Sequence, residues 1–222
     1  MSLKNKAFLF IGLILIADQA LKIWVKTHMG LDERIRIFGD WFYIHFTENP
    51  GMAFGMTFGG PTGKILLVTF RIMMAAVILW YIPKMIQRGA GTGLIMSVAG
   101  ICAGALGNII DCAFYGLIFD TGTVFSPGFD QYVGYAGVSQ FAPEGYSSFM
   151  HGCVVDMFHF PIIQTSYPEW FPLRGGEEFV FFRPIFNVAD SAISVSIIYI
   201  ILFQRKTLNI AMGVKEKSKS KS

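Results

Sequence analysis

Apolar residues dominate four stretches of the chain, 7–25, 65–82, 93–110 and 184–203, each close to the ~20 residues a helix needs to cross a bilayer. Between them the pattern changes. In 26–64, Ile35, Ile37, Trp41, Tyr43, His45 and Phe46 give a β-type alternation broken at Gly39-Asp40, which predicts a short hairpin or small sheet with His45 as a strand residue. Asn49-Pro50-Gly51 then reads as a turn, followed by small and apolar residues up to Gly55. The stretch 112–183 is rich in Gly, Phe, Tyr and Pro and shows no repeat. Within it, Ser126–Ser148 has no helical period and is either a flexible flap or an ordered aromatic insertion, while Met157–Ile163 is apolar enough to lie flat on a membrane. The pattern predicts an α-helical polytopic membrane protein built as one domain over 1–222, with four transmembrane helices, two long loops and a polar tail at 204–222.

Composition sharpens this picture. Of 222 residues 53% are hydrophobic and 15% charged, too apolar for an ordinary soluble domain. Lys4 and Lys6 before an apolar run ending in Ala17-Asp18-Gln19-Ala20 imitate a secretory signal, but the run resumes through Leu21–Val25, so the segment reads as a retained span. Lys4, Lys6, Lys84, Arg88, Arg205, Lys206, Lys215, Lys217, Lys219 and Lys221 would share one face, which takes ten of the eighteen basic residues. The stretch 112–183 holds only Arg174 and Arg183 against seven acidic residues. The positive-inside rule then puts both termini in the cytoplasm and both long loops outside. A net charge of +3 calls for no nucleic acid, and the final VKEKSKSKS suits a disordered anchor beside anionic lipid. Cys102, Cys112 and Cys153 are an odd set without metal-like spacing, and a Cys112–Cys153 disulfide stays open.

The orientation turns the polar residues inside the spans into a geometry. Asp18, Asn108, Asp111, Asn187 and Asp190 all fall towards the outer leaflet, and Asp156 lies in the loop just before the last span. Asp18 and Lys22 are four apart on one helix face, so an intrahelical ion pair is the leading role for Lys22. Asn108/Asp111 and Asn187/Asp190 repeat a three-residue spacing that puts each pair on one helix face. Interhelical glue, or orientation of a neighbouring carboxylate, explains the amides. It does not explain Asp190, where an amide would serve without the cost of ionisation. Asp156 and Asp190 together point to a carboxylate pair that shares a proton and activates water. His151, Cys153 and Asp156 lack the partners of a metal or thiol site.

ADQALKIWV, TENPGMAFG, GALGNIID, HGCVVDMFHF and FNVADSAI, in that order, resemble the motifs of the lipoprotein signal peptidase (signal peptidase II) family, bacterial membrane aspartyl peptidases. The resemblance implies a fold of four transmembrane helices with a small extracytoplasmic β-sheet and a surface-lying helical segment. It makes Asp156 and Asp190 the catalytic dyad, and Asp18, Lys22, Asn49, Asn108, Asp111 and Asn187 support or contact the substrate. The implied substrate is a prolipoprotein cleaved before a diacylglyceryl-modified cysteine, in the bacterial inner membrane, by a monomer that needs no metal or cofactor. Two departures stand out. Cys112 occupies a position where the family commonly has Arg, whose role is then dispensable or supplied otherwise, with Arg174 and Arg183 as candidates, and 119–150 is an insertion. The rival reading is an ion or proton carrier using Asp18, Asp111 and Asp190. A third is a non-enzymatic assembly protein.

Overall fold

The computed structural model describes residues 1–51, 60–172, 174–205 and 207. Met52–Gly55, the end of the expected turn motif, and the basic VKEKSKSKS tail lie outside them. In chain order the elements are α1 (Leu3–His28), β1 (Arg34–Phe38), β2 (Phe42–Asn49), α2 (Gly60–Gln87), α3 (Thr92–Ile110), a π turn (Asp111–Tyr115), α4 (Gly116–Ile118), β3 (Val124–Ser126), β4 (Gln131–Val133), β5 (Val154–His159), β6 (Ile163–Ser166), β7 (Glu178–Phe181), β8 (Ile185–Phe186) and α5 (Val188–Phe203). They form two compact units: 1–20, 62–110 and 188–222 in the first, 21–61 and 111–187 in the second.

The first unit is helical. α1, α2 and the run 92–118 are long and apolar enough to cross a membrane; α5, at 16 residues, is apolar but shorter. Leu13, Ile16, Leu66, Phe70, Met73 and Trp80 are exposed on α1 and α2, a surface that suits hydrocarbon and not water. α3 is the central helix and packs mainly on α5. Its glycines allow this. A Cβ at Gly104 would stand 2.3 Å from the carbonyl oxygen of Ala189 and 2.6 Å from Ile193 Cγ1, and one at Gly100 2.3 Å from Ser196 Oγ. Small residues that let two backbones approach replace the hydrophobic drive that helices lack in lipid.

The second unit is built on an antiparallel sheet of order β1-β2-β5-β8. The expected hairpin is β1–β2, and Gly39 (φ +46°) supplies the left-handed turn conformation at the predicted break. β2 pairs with β5 through a bulge: Ile44 faces Phe158 and Thr47 faces Asp156, so His45 and Phe46 stand opposite Met157 alone. Both are buried, which breaks the alternation. Val25, Met29, Phe46, Tyr115, Phe119, Val155 and Met157 form the core.

Several boundaries differ from expectation. The third span does not end at 110; the helix continues through the π turn to Ile118, burying Ala113 and Tyr115. The last helix starts at Val188, because Ile185–Phe186 pair with β5 as a strand. Met157–His159 belong to β5 and Met157 is fully buried, so that stretch is a core strand and does not lie flat. Ser126–Ser148 opens in the β3–β4 hairpin. Among the described residues the second unit has no helix beyond the end of α1, the π turn and α4, hence none answering to a surface-lying segment.

Candidate active site

In the first unit, three polar side chains meet around the start of α5. The Asp18 carboxylate is fully buried and accepts the N–H of Ala189 at 2.8 Å. A helix begins with N–H groups that lack intrahelical acceptors, and a carboxylate from another helix here does the work of a cap and meets the positive end of the dipole. Gln19 donates to the Gly107 carbonyl at 3.3 Å, tying α1 to α3. Asn108, on α3, donates its amide to Asp190 Oδ1 at 2.9 Å. Asp190 lies in the first turn of α5.

In the second unit, Lys22 forms an ion pair with Asp111 at 2.8 Å, both side chains fully buried. The second Asp111 role is structural too: Oδ2 accepts the Val155 N–H at 3.2 Å, fixing β5 one residue before Asp156. Asn187 donates its amide to Asp156 Oδ1 at 2.7 Å and to the Val155 carbonyl at 3.2 Å. Asp156 is itself buried, at 5% exposure. Asn49 closes β2: its Oδ1 accepts the Gly51 N–H at 2.9 Å, and Gly51 takes φ +96°, which a side chain would strain.

One helical turn beyond Lys22, Lys26 is buried against Glu48, a pair that sequence reasoning missed. Lys26 Nζ also donates to the Thr121 carbonyl at 3.0 Å and stands 5.1–5.2 Å from the ring centres of Phe119, Tyr135 and Tyr146. Glu48 Oε2 accepts the Thr123 N–H at 2.6 Å. The insertion is therefore clamped to α1 and β2 by one ion pair inside an aromatic cage. Burial and the adjacent Glu48 carboxylate push the Tyr135 phenol up, so it stays protonated. The signal for Lys26 was present: a second lysine at i+4 in an apolar run marks the same face as Lys22. On the other side of β2, His45 is held neutral, its pKa lowered to about 4 by burial first and then by Arg34 and His159.

The placements correct one reading. Asn187 and Asp190 do not share a helix face; Asn187 precedes α5 and serves Asp156, while Asp190 is served by Asn108. Arg174 and Arg183, the proposed stand-ins for the missing arginine, are exposed, whereas Cys112 is buried. Cys102, Cys112 and Cys153 are all buried thiols, with no disulfide. Among the described residues no group of three His, Cys, Asp or Glu side chains is arranged to hold a metal ion.

The spanning helices define a membrane protein. A family profile described as Signal peptidase (SPase) II matches residues 10–205. A lipoprotein signal peptidase of Porphyromonas gingivalis is 40% identical over 209 residues, 93% of this chain and 85% of that one. A lipoprotein signal peptidase of Amoebophilus asiaticus is 32% identical over 210 residues, 92% and 80% of the respective chains. A solved bacterial membrane enzyme shares the fold with TM-score 0.56 at 21% identity, covering 96% of this chain and 93% of its own. The chain belongs to the signal peptidase II family, and is a protease.

Proposed function

We propose that this protein is an aspartyl endopeptidase that removes signal peptides from bacterial prolipoproteins, cleaving before the diacylglyceryl-modified cysteine, with Asp156 and Asp190 as its catalytic pair. One observation carries the assignment: each of these carboxylates accepts an asparagine amide, Asn187 on Asp156 at 2.7 Å and Asn108 on Asp190 at 2.9 Å. A neutral amide orients a carboxyl group without forcing it to stay ionised, as a lysine does. The remaining buried acids have structural duties, Asp18 at the start of α5 and Asp111 on Lys22. That leaves little for a carrier relay through Asp18 and Asp111.

In this reading one aspartate is ionised and takes a proton from water as the water attacks the scissile carbonyl. Its protonated partner hydrogen-bonds the carbonyl oxygen and later supplies the proton that the leaving amine needs. A carboxyl pair that shares one proton titrates as a unit, so kcat/KM should follow a bell-shaped pH profile whose limbs belong to the pair. The protein acts as a monomer in the cytoplasmic membrane, termini inside, with its site towards the extracytoplasmic leaflet. The basic residues flanking the spans support that orientation.

The test is cleavage of a diacylglyceryl-modified prolipoprotein by wild type, Asp156→Asn and Asp190→Asn, with chelator present and folding checked by thermal melt. Wild type should cleave, and both folded variants should lose about 10³-fold or more, the scale of removing an acid–base group. Full activity in either variant refutes the pair.

A further inference from the structure

Lys64, Val68, Ala75 and Ile82 are the buried stripe of α2, at 0–4% exposure. Arg71 falls on that stripe, three residues after Val68 and four before Ala75. The residue as a whole is half-buried, but its Nη1 is buried and has no hydrogen-bond partner. Such a group is expensive inside a membrane helix, where water cannot supply the missing acceptor. A cation kept for helix contacts would show a partner. One kept to reach the membrane surface would not bury its nitrogen.

The level of Arg71 is fixed within the first unit. Cys102 Sγ of α3 lies 4.0 Å from the Ala75 carbonyl of α2. From that contact Arg71 is four residues towards the start of α2, about 6 Å, and Asn108 is six residues along α3 in the same direction, about 9 Å. Side chains on a helix lean towards its N-terminus, which carries the guanidinium further towards Asn108. Arg71 is therefore a donor without an acceptor, level with the amide that holds Asp190.

We infer that Arg71 is a substrate-binding residue that receives the backbone carbonyl oxygens at the C-terminal end of the substrate's signal helix. This rests on the peptidase reading above. A helix leaves its last four carbonyls without intrahelical partners and ends in partial negative charge. In hydrocarbon those carbonyls need a donor, and the planar fork of a guanidinium offers several in fixed geometry. In the peptidase reading the signal helix of the substrate ends just before the bond to be cut, so its unsatisfied end belongs at the level of Asp190.

Binding of a synthetic signal-helix peptide in detergent tests this, comparing Asp190→Asn with Asp190→Asn/Arg71→Leu; a short diacylglyceryl peptide lacking the helix is the second probe. Loss of Arg71 should weaken the signal-helix peptide about tenfold, ~1.4 kcal/mol, leave the short peptide's affinity alone, and leave the melting temperature equal or higher. In cleavage, Arg71→Leu should raise KM with kcat little changed. Equal affinities for the signal-helix peptide, or equal losses on both probes, overturn the inference. If Arg71→Leu does not fold, Arg71→Gln is put through the same comparison under the same criteria. Activity surviving in Asp190→Asn refutes the catalytic pair instead, and leaves the binding comparison standing.

Discussion

The two units bury polar groups by opposite means. In the first, Asp18 meets a helix N-terminus, Asn108 meets Asp190, and glycines let α3 and α5 touch through their backbones. In the second, two lysines on consecutive turns of α1 meet carboxylates from the π turn and β2, and each carboxylate also takes a backbone N–H. Helices in lipid satisfy their own backbones, so what remains is contact, and small residues supply it. A sheet whose loops must be fixed to a helix end has unpaired N–H groups to hold, and a buried anion holds several at once. The difference predicts different fragility: overpacking should harm the first unit, and removing one charge should harm the second.

The largest expected effect follows from breaking the second arrangement. Removing one member of a buried pair leaves the other charge uncompensated, at about 3–5 kcal/mol. Lys26→Met should destabilise the protein by this order, read as earlier unfolding in detergent, and Lys26→Met/Glu48→Gln should cost clearly less than the two single changes added. Strict additivity would show that the pair is not coupled. Gly104→Ala tests the first arrangement, since its Cβ meets the Ala189 carbonyl oxygen at 2.3 Å. About 1–3 kcal/mol should be lost. Activity should fall with it, because α5 carries Asp190; unchanged stability would mean that α3 and α5 separate freely.

The smallest effect is the pH response of the sheet. His45 faces Arg34, His159 and, at 3.9 Å, Asp32, and its folded pKa of about 4 lies below the ordinary 6.5. Between those values the unfolded chain binds the extra proton, so stability should fall as pH drops from 6.5 towards 4. His45→Gln should flatten that part of the melting curve against pH. An unaltered slope would assign it to other groups.

Much of this was legible in the sequence, for identifiable reasons. Spans announce themselves by apolar length, and Asp156 and Asp190 by the cost of a carboxylate in such surroundings. Asparagines orienting a neighbouring carboxylate were foreseen, but which amide serves which carboxylate was not legible. Asn187 and Asp190 sit at a helical spacing, yet the pairing of β8 delays the helix past Asn187, and spacing alone cannot register that competition. The β2 bulge beside Asp156 was hidden for a similar reason, since an alternation broken at His45-Phe46 looks the same as a weak strand. Lys26 was readable in principle, but its partner Glu48 lies 22 residues away in a strand. The orphaned nitrogen of Arg71 emerges only when packing shows which face of α2 is buried.

The two lysines of α1 also impose a timetable on synthesis. Glu48 follows Lys26 by 22 residues, which at ~5–20 residues per second is roughly 1–4 s of translation. Asp111 follows Lys22 by about 90 residues, or roughly 4–18 s at the same rate. For that interval Lys22 has Asp18, one turn back on the same helix, as its nearest carboxylate, and the long lysine stem lets the charge wait in water. The arrival of Asp111 then gives Lys22 the buried partner it has in the finished fold.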